Sequence, residues 1–128
     1  MMSNNDIKKE IKKILNREDI DAVYIFGSFL TKRFQETSDI DIAIIGDISL
    51  EDILYLESSL EEKLGIEIDL VNIEDLERPI QLQVISRNKR LIFKETELVR
   101  DFLNNLDKWY REEYPFWVKM QREIGYEI

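Results

Sequence analysis

Two aspartates, Asp39 and Asp41, open the run Asp39-Ile40-Asp41-Ile42-Ala43-Ile44-Ile45, and the pair Gly27-Ser28 stands ten residues upstream. The run reads as a β-strand. Strand side chains alternate between faces, so the two carboxylates project the same way. Left alone they repel, and a divalent cation between them removes that penalty. Gly27-Ser28 closes another apolar run, Ala22-Val23-Tyr24-Ile25-Phe26. A strand that ends in Gly-Ser and opens a helix offers free backbone N–H groups where a phosphate can sit. A phosphate cradle facing paired carboxylates is the minimal equipment for metal-assisted phosphoryl or nucleotidyl transfer.

The tripeptide itself says little, because Asp19-Ile20-Asp21 repeats it without an upstream Gly-Ser and reads as an ordinary solvated strand entry. The surroundings of Asp39 and Asp41 carry the reading. A third acid, Asp69, lies in the segment Ile66 to Asn72, where Ile66, Ile68 and Leu70 alternate with Glu67, Asp69 and Val71. If this strand pairs beside the one carrying Asp41, Asp69 joins the other two. Three carboxylates can hold two magnesium ions about 3.5–4 Å apart, as two-metal catalysis requires. Glu67 shares the Asp69 face and reads as a solvated strand edge.

Composition narrows the chemistry further. The chain has 128 residues, 44% of them apolar, with no cysteine and no histidine. That excludes disulfides, thiolate zinc sites, imidazole ligands and histidine acid–base catalysis. Carboxylates, hydroxyls, cations and a bound metal remain. A net charge of −9 argues against nucleic acid as a main ligand, since a phosphate polymer needs a basic surface. It favours a basic partner or a metal-bridged polyanion such as a nucleoside triphosphate. The N-terminus has no signal-peptide pattern, and no run approaches the ~18 apolar residues of a membrane span. A cytoplasmic protein with no membrane association is the expectation.

The strands and helices around these residues follow from periodicity. Ile7, Ile11, Ile14 and Leu15 mark an amphipathic first helix. Strands are expected over 22–26 and 40–45, with a short helix over 28–34 and a polar turn over 35–38 between them. A helix over 50–64, capped by Ser49 or Asp47 and ended by Gly65, precedes the strand over 66–72. A helix from Asp75 to about Arg87 has Pro79 near its first turn, where proline does least harm. A short strand over 90–94 follows, then a helix from Glu97 to at least Tyr114 that resumes after Pro115. The order predicts an α/β (α+β) fold, one small mixed sheet packed by helices. The whole of 1–128 is expected to be a single domain with a C-terminal helical segment from about 97.

Gly27-Ser28, ten residues, Asp39-x-Asp41 and a third Asp on a later strand resemble the nucleotidyltransferase fold of the DNA polymerase beta superfamily. The length resembles its minimal nucleotidyltransferase branch, the MNT-type antitoxins, and the resemblance runs from about Asp6 to Trp109. It implies that Gly27 lets the backbone approach the triphosphate of ATP and that Ser28 hydrogen-bonds a β- or γ-phosphate oxygen. It implies that Asp39 and Asp41 bind two Mg2+ ions, and that Asp69 binds the catalytic ion and helps deprotonate an attacking hydroxyl. Family members often carry Arg after Gly-Ser, where this chain has Phe29. Lys32 and Arg33, one turn on, are the substitute phosphate contacts, with a solvated helix face as the plain alternative.

The resemblance further implies AMP transfer from ATP to a hydroxyl, a tyrosine on a cognate HEPN-type ribonuclease toxin, in a hetero-oligomer with this chain as antitoxin. Two other readings stand beside it. The chain could neutralise its partner by binding alone, a reading that Phe29 favours and three retained carboxylates oppose. It could instead be a small-molecule, aminoglycoside-type nucleotidyltransferase. Near the C-terminus, Leu98, Phe102 and Trp109 fit one helical face. Tyr110, Tyr114, Phe116 and Trp117 cannot all share it, so they form a contact surface or fold back on the sheet. Arg87, Lys89 and Arg90 form the one local basic cluster and read as solvated hairpin charges.

Overall fold

The computed structural model describes residues 2–27, 39–87 and 89–124. The elements are α1 (Asn4–Ile14), β1 (Ile20–Phe26), β2 (Ile40–Gly46), α2 (Leu50–Leu64), β3 (Ile68–Asn72), α3 (Arg78–Ser86), β4 (Arg90–Phe93), α4 (Glu97–Glu112) and α5 (Tyr114–Glu123). The four strands form one mixed sheet in the order β3-β2-β1-β4. β1 is antiparallel to both β2 and β4, and β2 is parallel to β3. This is the mixed sheet with packed helices that the sequence predicts.

The apolar runs of β1 and β2 are nearly continuous because both faces of the sheet are covered. On one face Val23, Ile25, Ile40, Ile42, Ile44, Ile68 and Leu70 pack against Ile7, Ile11 and Leu15 and against Ile53, Leu56 and Leu60 of α2. On the other, Ala22, Tyr24, Ala43 and Ile45 meet Val84 of α3 and Val99, Phe102 and Leu106 of α4. Helix ends are fixed locally. Ser3 and Asp6 form a capping box on α1, Ser49 accepts from the Asp52 N–H at the start of α2, and Gly65 ends α2 with φ +64°.

β1 starts at Ile20 rather than Ala22, so Ile20 and Asp21 lie within it. Three further boundaries differ from expectation for a backbone reason. β3 starts at Ile68 rather than Ile66, because the left-handed turn at Gly65 uses the intervening residues to leave the helix. Asp75 does not open α3. It ends a 3-10 turn, Ile73–Asp75, in which the Asn72 side chain accepts from the Glu74 N–H. Leu76 and Glu77 are then extended, Glu77 as the N-cap, and α3 begins at Arg78 with Pro79 in its first turn. The break before α5 falls at Glu113, since Pro115 lies inside the first turn of α5 rather than ahead of it. The helix expected over 28–34, the turn over 35–38 and Phe29 lie outside the described residues.

β3 is an edge strand whose outer donors are covered by side chains. Glu61 Oε2 accepts from the Ile68 N–H at 3.1 Å and Glu57 Oε2 accepts from the Leu70 N–H at 2.8 Å. Both glutamates belong to α2, four residues apart.

Candidate active site

The parallel pairing of β2 with β3 sets Asp41 directly opposite Asp69. Asp41 alternates with Ile40 and Ile42, so it shares the sheet face of Ala43 and Ile45, the face that α3 and α4 cover further along. Asp69 shares that face with Val71. Both aspartates lie beyond the cover of these helices, at the sheet end where β2 and β3 begin. Asp39 is exposed and stands one residue ahead of β2 rather than within it. Glu67 precedes β3 at the equivalent place, and its carbonyl accepts from the Ile40 N–H at 3.0 Å.

Burial holds the Asp41 carboxyl above the usual aspartate range, and the charges of Asp69 and Asp39 raise it further. Glu67 is also raised, chiefly by the Asp39 charge. Glu67 is exposed, as its reading as a solvated strand edge expects.

Gly27 closes the site from the β1 side. Phe26 pairs with Asp41, so the next residue passes over the Asp41 side chain. Gly27 has φ +77°, and a β-carbon there would run into Asp41 Oδ2 and lie 3.3 Å from its Cγ. The glycine serves a close approach and a left-handed backbone at once. Ser28, Lys32 and Arg33, the other expected phosphate contacts, lie outside the described residues.

Among the described residues, no three acidic side chains stand in a ready-made metal shell. The backbone register brings Asp41 and Asp69 to one face with Asp39 and Glu67 beside them. The side chains are not already drawn together. The donor set is nonetheless all hard oxygen, which suits a hard cation such as magnesium better than a softer metal. No helix among the described residues is long and apolar enough to cross a membrane.

A glycine-lined strand end facing in-register carboxylates on a mixed α/β sheet defines a nucleotidyltransferase-type fold. A family model described as "Polymerase beta, Nucleotidyltransferase" matches residues 9–97. The chain belongs to this family. A protein of Methanocaldococcus jannaschii named "Putative protein adenylyltransferase MJ0435" is 42% identical over 72 residues, which cover 55% of this chain and 77% of that protein. The fold also matches a chain in a crystal structure of a toxin–antitoxin with AMP-PNP. The TM-score is 0.70 at 22% identity, covering 91% of this chain and 94% of the other. A chain from the complex of the tri-AMPylated Shewanella oneidensis HEPN toxin with MNT antitoxin matches with a TM-score of 0.67 at 21% identity, over 95% of each chain.

The C-terminal aromatics divide between core and surface. Phe102 is buried, and Leu98 and Trp109 pack partly against the same cluster. Trp109, Tyr110, Tyr114 and Trp117 cluster across the α4–α5 junction with ring centroids 5.1–6.5 Å apart; Tyr114 and Trp117 are stacked, and Trp109 meets Tyr114 edge-on. No residue of α5 is buried, and Phe116 is 65% exposed. Among the described residues the tail therefore does not fold back to be buried on the sheet. Arg87, Lys89 and Arg90 are exposed, and the Arg90 guanidinium lies 4.1 Å from the Phe93 ring centre.

Proposed function

We propose that this chain is an MNT-type antitoxin that transfers AMP from ATP to a tyrosine hydroxyl of a HEPN-type ribonuclease toxin, with magnesium, in a cytoplasmic hetero-complex. The observation that carries the reading is the pairing of Asp41 with Asp69 across β2 and β3, with Gly27 against Asp41. The relative named as a protein adenylyltransferase and the solved complexes of a HEPN toxin with an MNT antitoxin support the substrate and partner. AMP-PNP in a structure of the same fold supports ATP. The proposal treats 1–128 as one catalytic unit. An acceptor on another protein, docked over the open end of the sheet, suits a chain of this size.

In the proposed reaction the acceptor hydroxyl attacks the α-phosphorus, the bond to the β-phosphate oxygen breaks, and pyrophosphate leaves. Asp69 receives the hydroxyl proton. Asp39, Asp41 and Asp69 would hold magnesium, which neutralises charge on the transferring and leaving groups. Gly27 leaves room for the triphosphate to approach the backbone. Ser28, Lys32 and Arg33 would bind its phosphate oxygens.

The test mixes the chain with Mg2+, α-labelled ATP and the product of the neighbouring gene. Label on that product, absent with Asp39→Asn/Asp41→Asn, supports transfer. A tight complex that never takes label and is indifferent to the double substitution refutes it, leaving an antitoxin that acts by binding.

A further inference from the structure

We propose that Glu57 and Glu61 are positioning residues for the acidic site, gripping β3 on both sides of Asp69 and holding it in register with Asp41. The inference rests on the nucleotidyltransfer reading above. β3 is five residues long and has a strand neighbour on one side only. Alternate backbone groups of a strand point to opposite edges. The Glu67 carbonyl faces β2, where it accepts from Ile40, so the N–H groups of Ile68 and Leu70 face the open edge. Glu61 takes the first at 3.1 Å and Glu57 the second at 2.8 Å, and Asp69 is the residue between.

These are charge-assisted bonds from carboxylate to backbone N–H, stronger than neutral ones. Their source is rigid, because α2 is fixed to the sheet by Ile53, Leu56 and Leu60. Two glutamates four residues apart on one helix repel, and the β3 donors give each a reason to stay. The same grip occupies donors that another strand would need. The simpler alternative is that it only protects an edge. A displacement of a site carboxylate, however, is felt by anything it binds or deprotonates, whereas edge protection alone leaves those properties untouched.

The test compares Glu57→Ala/Glu61→Ala with Glu57→Gln/Glu61→Gln in the full chain; glutamine keeps an acceptor oxygen and removes the charge. Three readouts are taken: amide exchange at Ile68 and Leu70, Mn2+ binding to the chain alone, and kcat and KM for labelled AMP transfer. The alanine pair should speed exchange and lower Mn2+ affinity and kcat by about 10- to 100-fold, with KM for ATP nearly unchanged. The glutamine pair should restore most of each loss. Should the alanine pair not fold, the single alanine variants give the same comparison at smaller amplitude.

Wild-type Mn2+ binding and kcat in the alanine variants, despite faster exchange, overturn the proposal in favour of edge protection. Glutamine variants that keep wild-type exchange at Ile68 and Leu70 yet are as impaired as alanine in Mn2+ binding and kcat also overturn it, since charge rather than grip would then matter. A wild type that binds no Mn2+ and labels nothing removes both this proposal and the transfer reading. If Mn2+ affinity follows the grip while no protein is ever labelled, the positioning stands and the transfer reading fails.

Discussion

The carboxylate of Asp41 occupies the space that a β-carbon on Gly27 would need. That carbon would lie against Oδ2, 3.3 Å from Cγ and 3.5 Å from Cβ of Asp41, on a backbone already at φ +77°. Gly27→Ala therefore meets two penalties. The left-handed backbone alone costs about 1–2 kcal/mol, and the Asp41 side chain must also turn away. Denaturant melts should show the loss of stability. In an Asp41→Ala background the steric part should disappear while the backbone part remains. A cost identical in both backgrounds would mean that the two residues do not collide.

Asp41 sits where folding disfavours its charge, through burial and through Asp69 and Asp39. A group whose folded pKa is raised opposes folding when it is ionised. Asp41→Asn should consequently raise the melting temperature at neutral pH in the presence of a chelator. Mg2+ should raise that of the wild type by mass action on the folded state, with little effect on Asp41→Asn or Asp69→Asn. A chelator-treated Asp41→Asn that melts below wild type would contradict the repulsion.

Arg17 donates two hydrogen bonds of 2.9 Å to the Asp19 carboxylate. These hold the Asp19 carboxyl below its ordinary value of 3.8. The sign follows from the depression: the stabilisation is present above about pH 3.8 and is lost as pH falls through the lower folded value. Asp19→Asn should be less stable than wild type at pH 7, and the gap should close in the acid limb of a pH series of thermal melts. A gap that is constant down to pH 2 would rule out this ion pair as the source.

Phe102 and Phe116 test the division between core and surface. Phe102 is 5% exposed within the α4 face of the core, and Phe102→Ala should cost about 3–5 kcal/mol. Phe116 is 65% exposed on α5, and Phe116→Ser should change stability by less than about 0.5 kcal/mol. Equilibrium denaturation measures both. A large loss at Phe116 would show that α5 is buried against something within the chain.

The strands and most helices were legible because their signals are local. The alternation of Ile66, Ile68 and Leu70 with Glu67 and Asp69, the four-residue spacing of Ile7 and Ile11, and the Ser49 and Gly65 caps each act within a few residues. Boundaries slipped where a local backbone feature governs: the left-handed Gly65, the 3-10 turn that ends at Asp75, and the place of Pro115 inside a first turn. The site was legible in its residue types and in part of its geometry. Asp41 and Asp69 come together by register, with Asp39 and Glu67 each one residue ahead of its strand.

Alternation and composition are properties of the string, and they were enough to say which residues could carry charge to one strand face and which chemistry was closed to the chain. Folding in three dimensions set β3 parallel beside β2 with Asp69 level with Asp41, passed Gly27 over the Asp41 carboxylate, and brought Glu57 and Glu61 across to the outer edge of β3. Those relations join residues distant in the chain. They depend on sheet order and on the packing of α2, which no short-range pattern encodes.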